Sequence, residues 1–400
     1  MNYKVLKFGG SSLETLEKMK HVASKIIKEA QSGFNLVVVV SAMGKSTNQL
    51  IALAKEASSN PNKRELDALL STGEQVSISL LSMMLQDDGY PAIGLSGFQA
   101  KIKTSGLHTN NRIDDIDVSL IQKHSEEGKI VVVAGFQGIN DQGDITTLGR
   151  GGSDTTAIAL AAKLGCHCDI YTDVTGIYGV DPRLVPQAKQ LETISVDEMK
   201  EMAFLGAKVM EPRSIDIAQH YGVIVRVAHA HIESQGTLIL KEDMMEHRPI
   251  TGCSVIEKIV LVNIQHLPAS MSLIAHLFVT LANEGINIDM ISQTQSSDGF
   301  VTLAFTASSD DLDNLEHVLR VLTQDQPQAI IHVDKHVSKV SVVGSGMRSQ
   351  SGVAARLFQL FADHHIAYKL ITTSEISISY TMSKDHTLQA VQLIAQEFGL

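Results

Sequence analysis

Four consecutive valines, Val37 to Val40, constrain the fold of this chain more than any other feature. A run that is β-branched and apolar at every position buries both faces of a strand, so it belongs inside a sheet covered on both sides. Runs of the same kind recur at 3–8, 92–96, 130–134, 169–173 and 223–227, and amphipathic stretches separate them at 12–30, 48–57, 74–86, 155–164 and 196–202. Strand-length runs alternating with helical ones predict an α/β fold, a three-layer sandwich with a largely parallel sheet, over residues 1–240. The chain has 400 residues, enough for two or three domains. Its 44% hydrophobic content excludes a disordered chain.

From about residue 250 the pattern changes to an internal repeat. Ala275-His276-Leu277-Phe278 recurs as Ala355-Arg356-Leu357-Phe358, and Ala282, Ile286 and Ile291 recur as Ala362, Ile366 and Ile371. Each copy reads as strand, helix, strand, strand, helix, which gives a first repeat at 250–330 and a second at 331–400. A pair of this kind is expected to share a sheet face within or between chains. The polar stretch from Lys241 to Pro249 marks the boundary.

The net charge of −11 argues against nucleic acid and against an anionic membrane as partners, while allowing a local basic pocket. No apolar run approaches the roughly 20 residues of a membrane span. The N-terminus enters a strand with no secretory pattern, and three cysteines suit a reducing compartment. A cytoplasmic protein is expected.

Four segments carry candidate chemistry. Lys7-Phe8-Gly9-Gly10-Ser11-Ser12 closes the first strand with a glycine turn. Its amides can face an anion while Lys7 supplies a point charge, and the Ser11/Glu14 spacing predicts a helix start there. Ser41-Ala42-Met43-Gly44-Lys45-Ser46-Thr47 ends like a P-loop but has Val39 where the first glycine is required, so a Walker motif is rejected. Its hydroxyls still lie at the carboxyl edge of a strand. Thr147 to Thr156, with Gly149-Arg150-Gly151-Gly152-Ser153-Asp154, combines glycines with an arginine fork suited to a carboxylate or phosphate. Asp154 either orders Lys7 or caps the following helix. Thr172 to Arg183 is either a loop for a nucleotide base and ribose or an ordinary polar loop. No segment has metal-ligand spacing, and no GxSxG elbow is present.

KFGGSS, VVSAMGKSTN, STGE, GFQG, TLGRGGSDTTA, TDVTGIYGVDPR and GAKVMEPR, in that order over the first 240 residues, resemble the aspartate kinases of the amino-acid kinase family. The C-terminal pair resembles their α+β, ferredoxin-like ACT repeats. The resemblance implies ATP-dependent phosphorylation of the L-aspartate side chain to 4-phospho-L-aspartate, the opening step toward lysine, threonine and methionine. It implies ATP with Mg2+. By resemblance, Lys7, Asp154 and Lys208 are catalytic, and Lys7, Gly9, Gly10, Ser11, Thr172, Asp173, Tyr178, Arg183 and Lys208 bind ATP. Ser41, Thr47, Glu74, Phe136 and Arg150 bind aspartate, with Arg150 on its α-carboxylate and Glu74 on its ammonium. Met271, Ser272, Asp289, Gln293 and Thr294 are the regulatory candidates, for lysine or alternatively threonine as effector. A homodimer through the ACT repeats is implied as well, with a tetramer as the alternative. Replacing Lys7 by alanine is expected to reduce turnover strongly with folding nearly intact.

Overall fold

The computed structural model describes residues 2–241, 248–295 and 298–400. Most of the expected boundary stretch, 242–247, lies outside them. The chain forms two compact units: Met1–Ile177, Gln190–Ala203 and Lys208–Met244 make the first, and Tyr178–Lys189, Phe204–Ala207 and Met245–Leu400 the second.

In the first unit the elements are β1 (Tyr3–Phe8), α1 (Leu16–Ala30), β2 (Asn35–Val40), α2 (Ser46–Ala57), α3 (Lys63–Asp87), β3 (Ala92–Leu95), β4 (Ile102–Leu107), β5 (Asn110–Ile116), α4 (Ser119–Glu126), β6 (Ile130–Ala134), β7 (Gln137–Ile139), β8 (Ile145–Thr147), α5 (Gly152–Leu164), β9 (Cys168–Thr172), β10 (Thr193–Ser195), α6 (Val196–Phe204), α7 (Pro212–Tyr221), β11 (Val225–His229) and β12 (Thr237–Leu240). Eight strands form one sheet in the order β10-β12-β11-β9-β1-β2-β6-β3. It is parallel except where β11 meets β12. Leu6, Val38, Val40 and Val132 face a core that includes Met19, Val22 and Ile26 of α1 and Ile78, Leu81 and Leu85 of α3. The alternate residues Val5, Val37, Val39, Val131 and Val133 are also fully buried, on the opposite face, where α5 packs over β1 and β2. Each valine withdrawn from water contributes about 1.5 kcal/mol or more. The three-layer sandwich is present as expected.

Three local departures matter. The helix expected from Ser12 begins at Leu16, because Thr15 caps it by accepting a hydrogen bond from the Lys18 amide, and Gly10–Leu13 is a short 3-10 turn instead. The helix expected from Glu74 runs from Lys63, placing Glu74 mid-helix. This helix is long and apolar enough to cross a membrane by length and composition, and half of its apolar window is buried inside the fold. A second, four-stranded sheet, β5-β4-β7-β8, sits beside the main one.

The second unit contains β13 (Gly252–Pro268), α8 (Met271–Asn283), β14 (Ile288–Gln295), β15 (Phe300–Ser308), α9 (Leu312–Asp325), β16 (Ile330–Val343), α10 (Val353–Asp363), β17 (Tyr368–Thr373), β18 (Ser377–Ser383) and α11 (Lys384–Phe398). They form one antiparallel sheet in the order β14-β15-β13-β16-β18-β17. The repeat is real at the level of packing: Leu277 and Leu357, and Ile286 and Ile366, are buried at equivalent places. The division at 330/331 is not where the structure divides the repeats. The first half of β16 closes the first repeat by pairing with the second half of β13, from Ile259↔Val337 to Gln265↔Ile330. The second repeat is closed by the first half of β13, from Gly252↔Val343 to Ile256↔Lys339. Each repeat therefore owes its closing strand to the other's sequence segment. The 178–189 segment, assigned to the first domain on sequence, packs here too: Val180 and Val185 share a core with Ile250, Val342 and Leu400, and the Cys253 amide donates to the Gly179 carbonyl at 2.7 Å.

Candidate active site

Parallel strands end together, and the carboxyl ends of β1, β2 and β6 bring three of the glycine-containing segments to one edge. Lys7, the penultimate residue of β1, is buried and forms an ion pair of 2.6 Å with Asp154 in the first turn of α5. Of the two sequence readings of Asp154, ordering Lys7 is the one observed. Burial changes the expectation for Lys7→Ala: removing one member of a buried pair strands the other charge, so stability falls along with activity.

Gly9 and Gly10 follow. The Gly10 backbone lies so close to the segment after β2 that a Cβ there would meet the Ala42 carbonyl oxygen at 2.8 Å. The Gly44 amide donates to the Gly10 carbonyl at 2.9 Å. The turn is thereby locked against the segment carrying Ser41 and Thr47, both half-buried, with Thr47 in the first turn of α2. Ser11 is exposed on the 3-10 turn, and its carbonyl accepts from the Lys18 ammonium.

Glu74 reaches this edge from α3. It is 2% exposed, and its Oε1 accepts from the Ala42 amide at 3.0 Å. Its Oε2 is buried and has no hydrogen-bond partner. Burial pushes its pKa up to about 8. A carboxylate with one oxygen anchored and the other unsatisfied is a seat for a cation or a donor brought by a ligand.

Phe136, just past β6, adopts a left-handed backbone with φ of 69°. Its amide donates to Thr156 Oγ1 and its carbonyl accepts from the Leu148 amide, so the GFQG and GRGGSD segments are hydrogen-bonded to each other. Gly152 is required there, because a Cβ would strike the Phe136 ring at 2.9 Å. Arg150 is exposed and precedes Gly151, the left-handed residue that opens α5. The Asp154 amide bonds back to the Gly151 carbonyl, so Arg150 and Lys7 approach one helix start.

Thr172 and Asp173 leave β9 beside β1, with the Thr172 hydroxyl donating to the Asp173 carboxylate at 3.1 Å. Lys208 is exposed in the turn between α6 and α7. Tyr178 and Arg183 belong to the segment of the second unit, where Arg183 is ion-paired with Asp181 at 2.6 Å. Among the regulatory candidates, Met271 and Ser272 open α8 next to its cap Ser270, and Met271 is 89% exposed. Gln293 and Thr294 are exposed on the edge strand β14. Asp289 is paired with Lys339, an ammonium of its own chain that is almost wholly buried.

Two residues of the GAKVMEPR segment carry signals that sequence reasoning passed over. Burial raises the Glu211 pKa, with Asp154 pushing it further and Arg150 and Arg213 pulling it back, so Glu211 lies amid the charges of this site. Arg213 donates to the Leu148 carbonyl at 3.1 Å and to the Asn111 carbonyl at 2.7 Å, bracing the Arg150 loop from behind. The signal was an acid and an arginine spaced three and five residues after Lys208.

The model of the amino acid kinase family matches residues 2–229, and an ACT domain model matches residues 340–398. The chain is 45% identical to the aspartokinase of Geobacillus stearothermophilus over 100% of this chain and 98% of the relative. It is 46% identical to aspartokinase 2 of Bacillus subtilis over the same shares. This chain belongs to the aspartokinases. Among solved structures, the aspartate kinase from Synechocystis is 39% identical with a TM-score of 0.56, over 100% of this chain and 70% of that one. The fold is also that of E. coli aspartokinase III in complex with aspartate and ADP, with a TM-score of 0.81, 24% identity and full coverage of both chains.

Proposed function

We infer that this aspartokinase transfers the γ-phosphoryl group of ATP to the side-chain carboxylate of L-aspartate, giving 4-phospho-L-aspartate, at the edge of the main sheet. The observation that carries the residue assignment is Glu74: a buried carboxylate with one oxygen unpartnered, beside a strand end bearing a buried lysine. Glu74 takes the substrate ammonium and Arg150 its α-carboxylate, with Ser41, Thr47 and Phe136 around them. The side-chain carboxylate, with an ordinary pKa near 3.9, is already ionised at neutral pH and needs no general base. Catalysis is then alignment plus positive charge. Lys7, held by Asp154, faces the transferred group, and the amides of Gly9, Gly10 and Ser11 contact the phosphates. Lys208 supplies a second positive charge, and Thr172 and Asp173 hold the nucleoside.

Mg2+ fits a site of this composition. Among the described residues no three His, Cys, Asp or Glu side chains gather as a metal cage, which suits an ion carried mainly by phosphate oxygens and water. Asp154 and Asp173 are the carboxylates available to it, and the ion supplies charge neutralisation on the phosphates.

The second unit gives feedback control by an amino acid, for which we propose L-lysine, with threonine as the rival. Asp289 is the carboxylate suited to its ammonium and is half exposed beside Lys339. A homodimer through the first repeat is supported by the unpaired edge of β14 and by exposed Met271, Val279 and Ile291. Three free thiols suit a cytoplasmic setting.

The test is a hydroxamate assay for acyl phosphate from aspartate and ATP. Wild type should form it, and Lys7→Met should lower kcat on the order of 10²–10³-fold. Normal turnover in that variant would refute the role of Lys7.

A further inference from the structure

A cavity of about 510 Å³ opens between β5, α5 and α7, a size that accommodates a small organic ligand. Its apolar walls are Ile113, Ala159, Ala162, Ile217 and Tyr221. The charged groups around it are unequally matched. Asp115 is ion-paired with Lys163 at 2.5 Å, Asp216 is ion-paired with Lys200, and Asp114 accepts from the Ser105 hydroxyl at 2.7 Å. Two cations in the lining have no such partner. Among the described residues no carboxylate pairs with Arg112, and the Arg213 guanidinium donates only to two backbone carbonyls. The two arginines repel each other: after burial, the charge of Arg112 is the largest influence lowering the Arg213 pKa. Arg112 is exposed at the cavity and Arg213 half-buried, and although the Glu211 charge acts on Arg213, neither guanidinium is in an ion pair among the described residues, so together they can take an anion.

We propose that this cavity is a second ligand site, taking a small anion with an apolar or aromatic body, and that its occupant controls the Arg150 loop through Arg213. The anionic head bridges Arg112 and Arg213, and the body lies along Ala162, Ile217 and Tyr221. Arg213 holds the Leu148 carbonyl two residues before Arg150. An anion that draws the guanidinium into the cavity competes with that bond and slackens the loop. Binding at this site is independent of the catalytic reading. The effect on aspartate rests on the assignment of Arg150.

The experiment uses the full-length protein with 3-phenylpropanoate as probe, phenyl phosphate as the phosphate arm and 3-phenylpropanamide as the neutral control. Binding is read by ligand-observed NMR and calorimetry, with ADP and aspartate present at saturation so that no turnover occurs. The expected result is saturable binding of one or both anions but not of the amide, weakened at least tenfold in Arg112→Gln. Ala162→Trp, which fills the cavity without replacing a charged residue, should abolish it. The KM for aspartate should rise several-fold when the site is filled in wild type and stay constant in Ala162→Trp. The preferred head group, carboxylate or phosphate, identifies the natural anion's class. Absent binding, binding equal in Arg112→Gln and wild type, or displacement of the probe by aspartate and nucleotide beyond the several-fold weakening that the coupling itself requires would overturn the site. A KM unmoved at saturation would overturn its coupling to the Arg150 loop, whatever the status of the kinase assignment.

Discussion

Helix α3 buries two carboxylates two turns apart, and they differ in one respect. Asp67 is fully buried and saturated: His108 Nδ1 lies 2.7 Å away, the Thr109 amide donates to both oxygens and the Thr147 hydroxyl donates at 2.5 Å. Glu74 is nearly as buried and has a single donor, leaving Oε2 unsatisfied. The same helix, the same chemistry and almost the same burial thus give one carboxylate that ties the small sheet to the helix and one with an oxygen left open, which the proposed function fills with the substrate ammonium. A buried polar atom without a partner costs free energy, roughly 1–3 kcal/mol, and is retained where another molecule completes it.

That contrast can be broken by exchanging the roles. Asp67→Ala leaves several buried donors without an acceptor, so it should lower stability by about 3–5 kcal/mol in urea denaturation. Where the protein stays folded, aspartate KM should change little. Glu74→Gln should do the reverse: kcat/KM for aspartate falls about 100-fold, roughly 2.7 kcal/mol, while the urea midpoint holds or rises. A destabilised Glu74→Gln with unchanged kinetics would erase the distinction. pH sharpens it further. The folded pKa of Glu74, about 8, stands above its unfolded value of 4.5. The folded state therefore holds a proton that the unfolded state has lost between those values. The stabilisation is complete below pH 4.5 and declines as pH rises to 8, by up to roughly 1.4 kcal/mol per unit. Glu74→Gln should remove that slope in the urea midpoint between pH 5 and 8. In wild type, aspartate KM should also fall as pH rises toward 8, because the ammonium requires the ionised form. The smallest effect is expected of Thr147→Val, which deletes one of the donors to Asp67. It should cost about 1 kcal/mol by thermal or urea unfolding.

Much of the fold was legible because its signals are local. Val37 to Val40 declare a doubly covered strand, and the glycine turns after β1 and before α5 declare where the chain packs too closely for a side chain, Gly10 against Ala42 and Gly152 against Phe136. What was missed depends on distance along the chain. The closing strands of the two repeats pair β13 with both halves of β16, and no local propensity encodes which distant segment completes a sheet. The strands β4 and β5 were invisible because their exposed faces carry Lys103, Ser105, Arg112, Asp114 and Asp115, which weaken the apolar alternation. The Ser11/Glu14 spacing predicted a cap, yet Thr15 performs it, because the tight contact of Gly10 with Ala42 holds the preceding residues in a 3-10 turn. Glu74 was assigned by resemblance to a motif. Its unsatisfied oxygen is a property of packing, which the sequence does not display.

The claim on which the account turns is that Oε2 of Glu74 receives the ammonium of the substrate. Its most direct test is acyl phosphate formation from L-aspartate and from succinate, which differs by lacking the amino group, in wild type and Glu74→Gln. The account predicts that wild type prefers aspartate by 100-fold or more in kcat/KM and that the variant loses most of this preference by losing aspartate alone. A preference that survives intact in Glu74→Gln would contradict it.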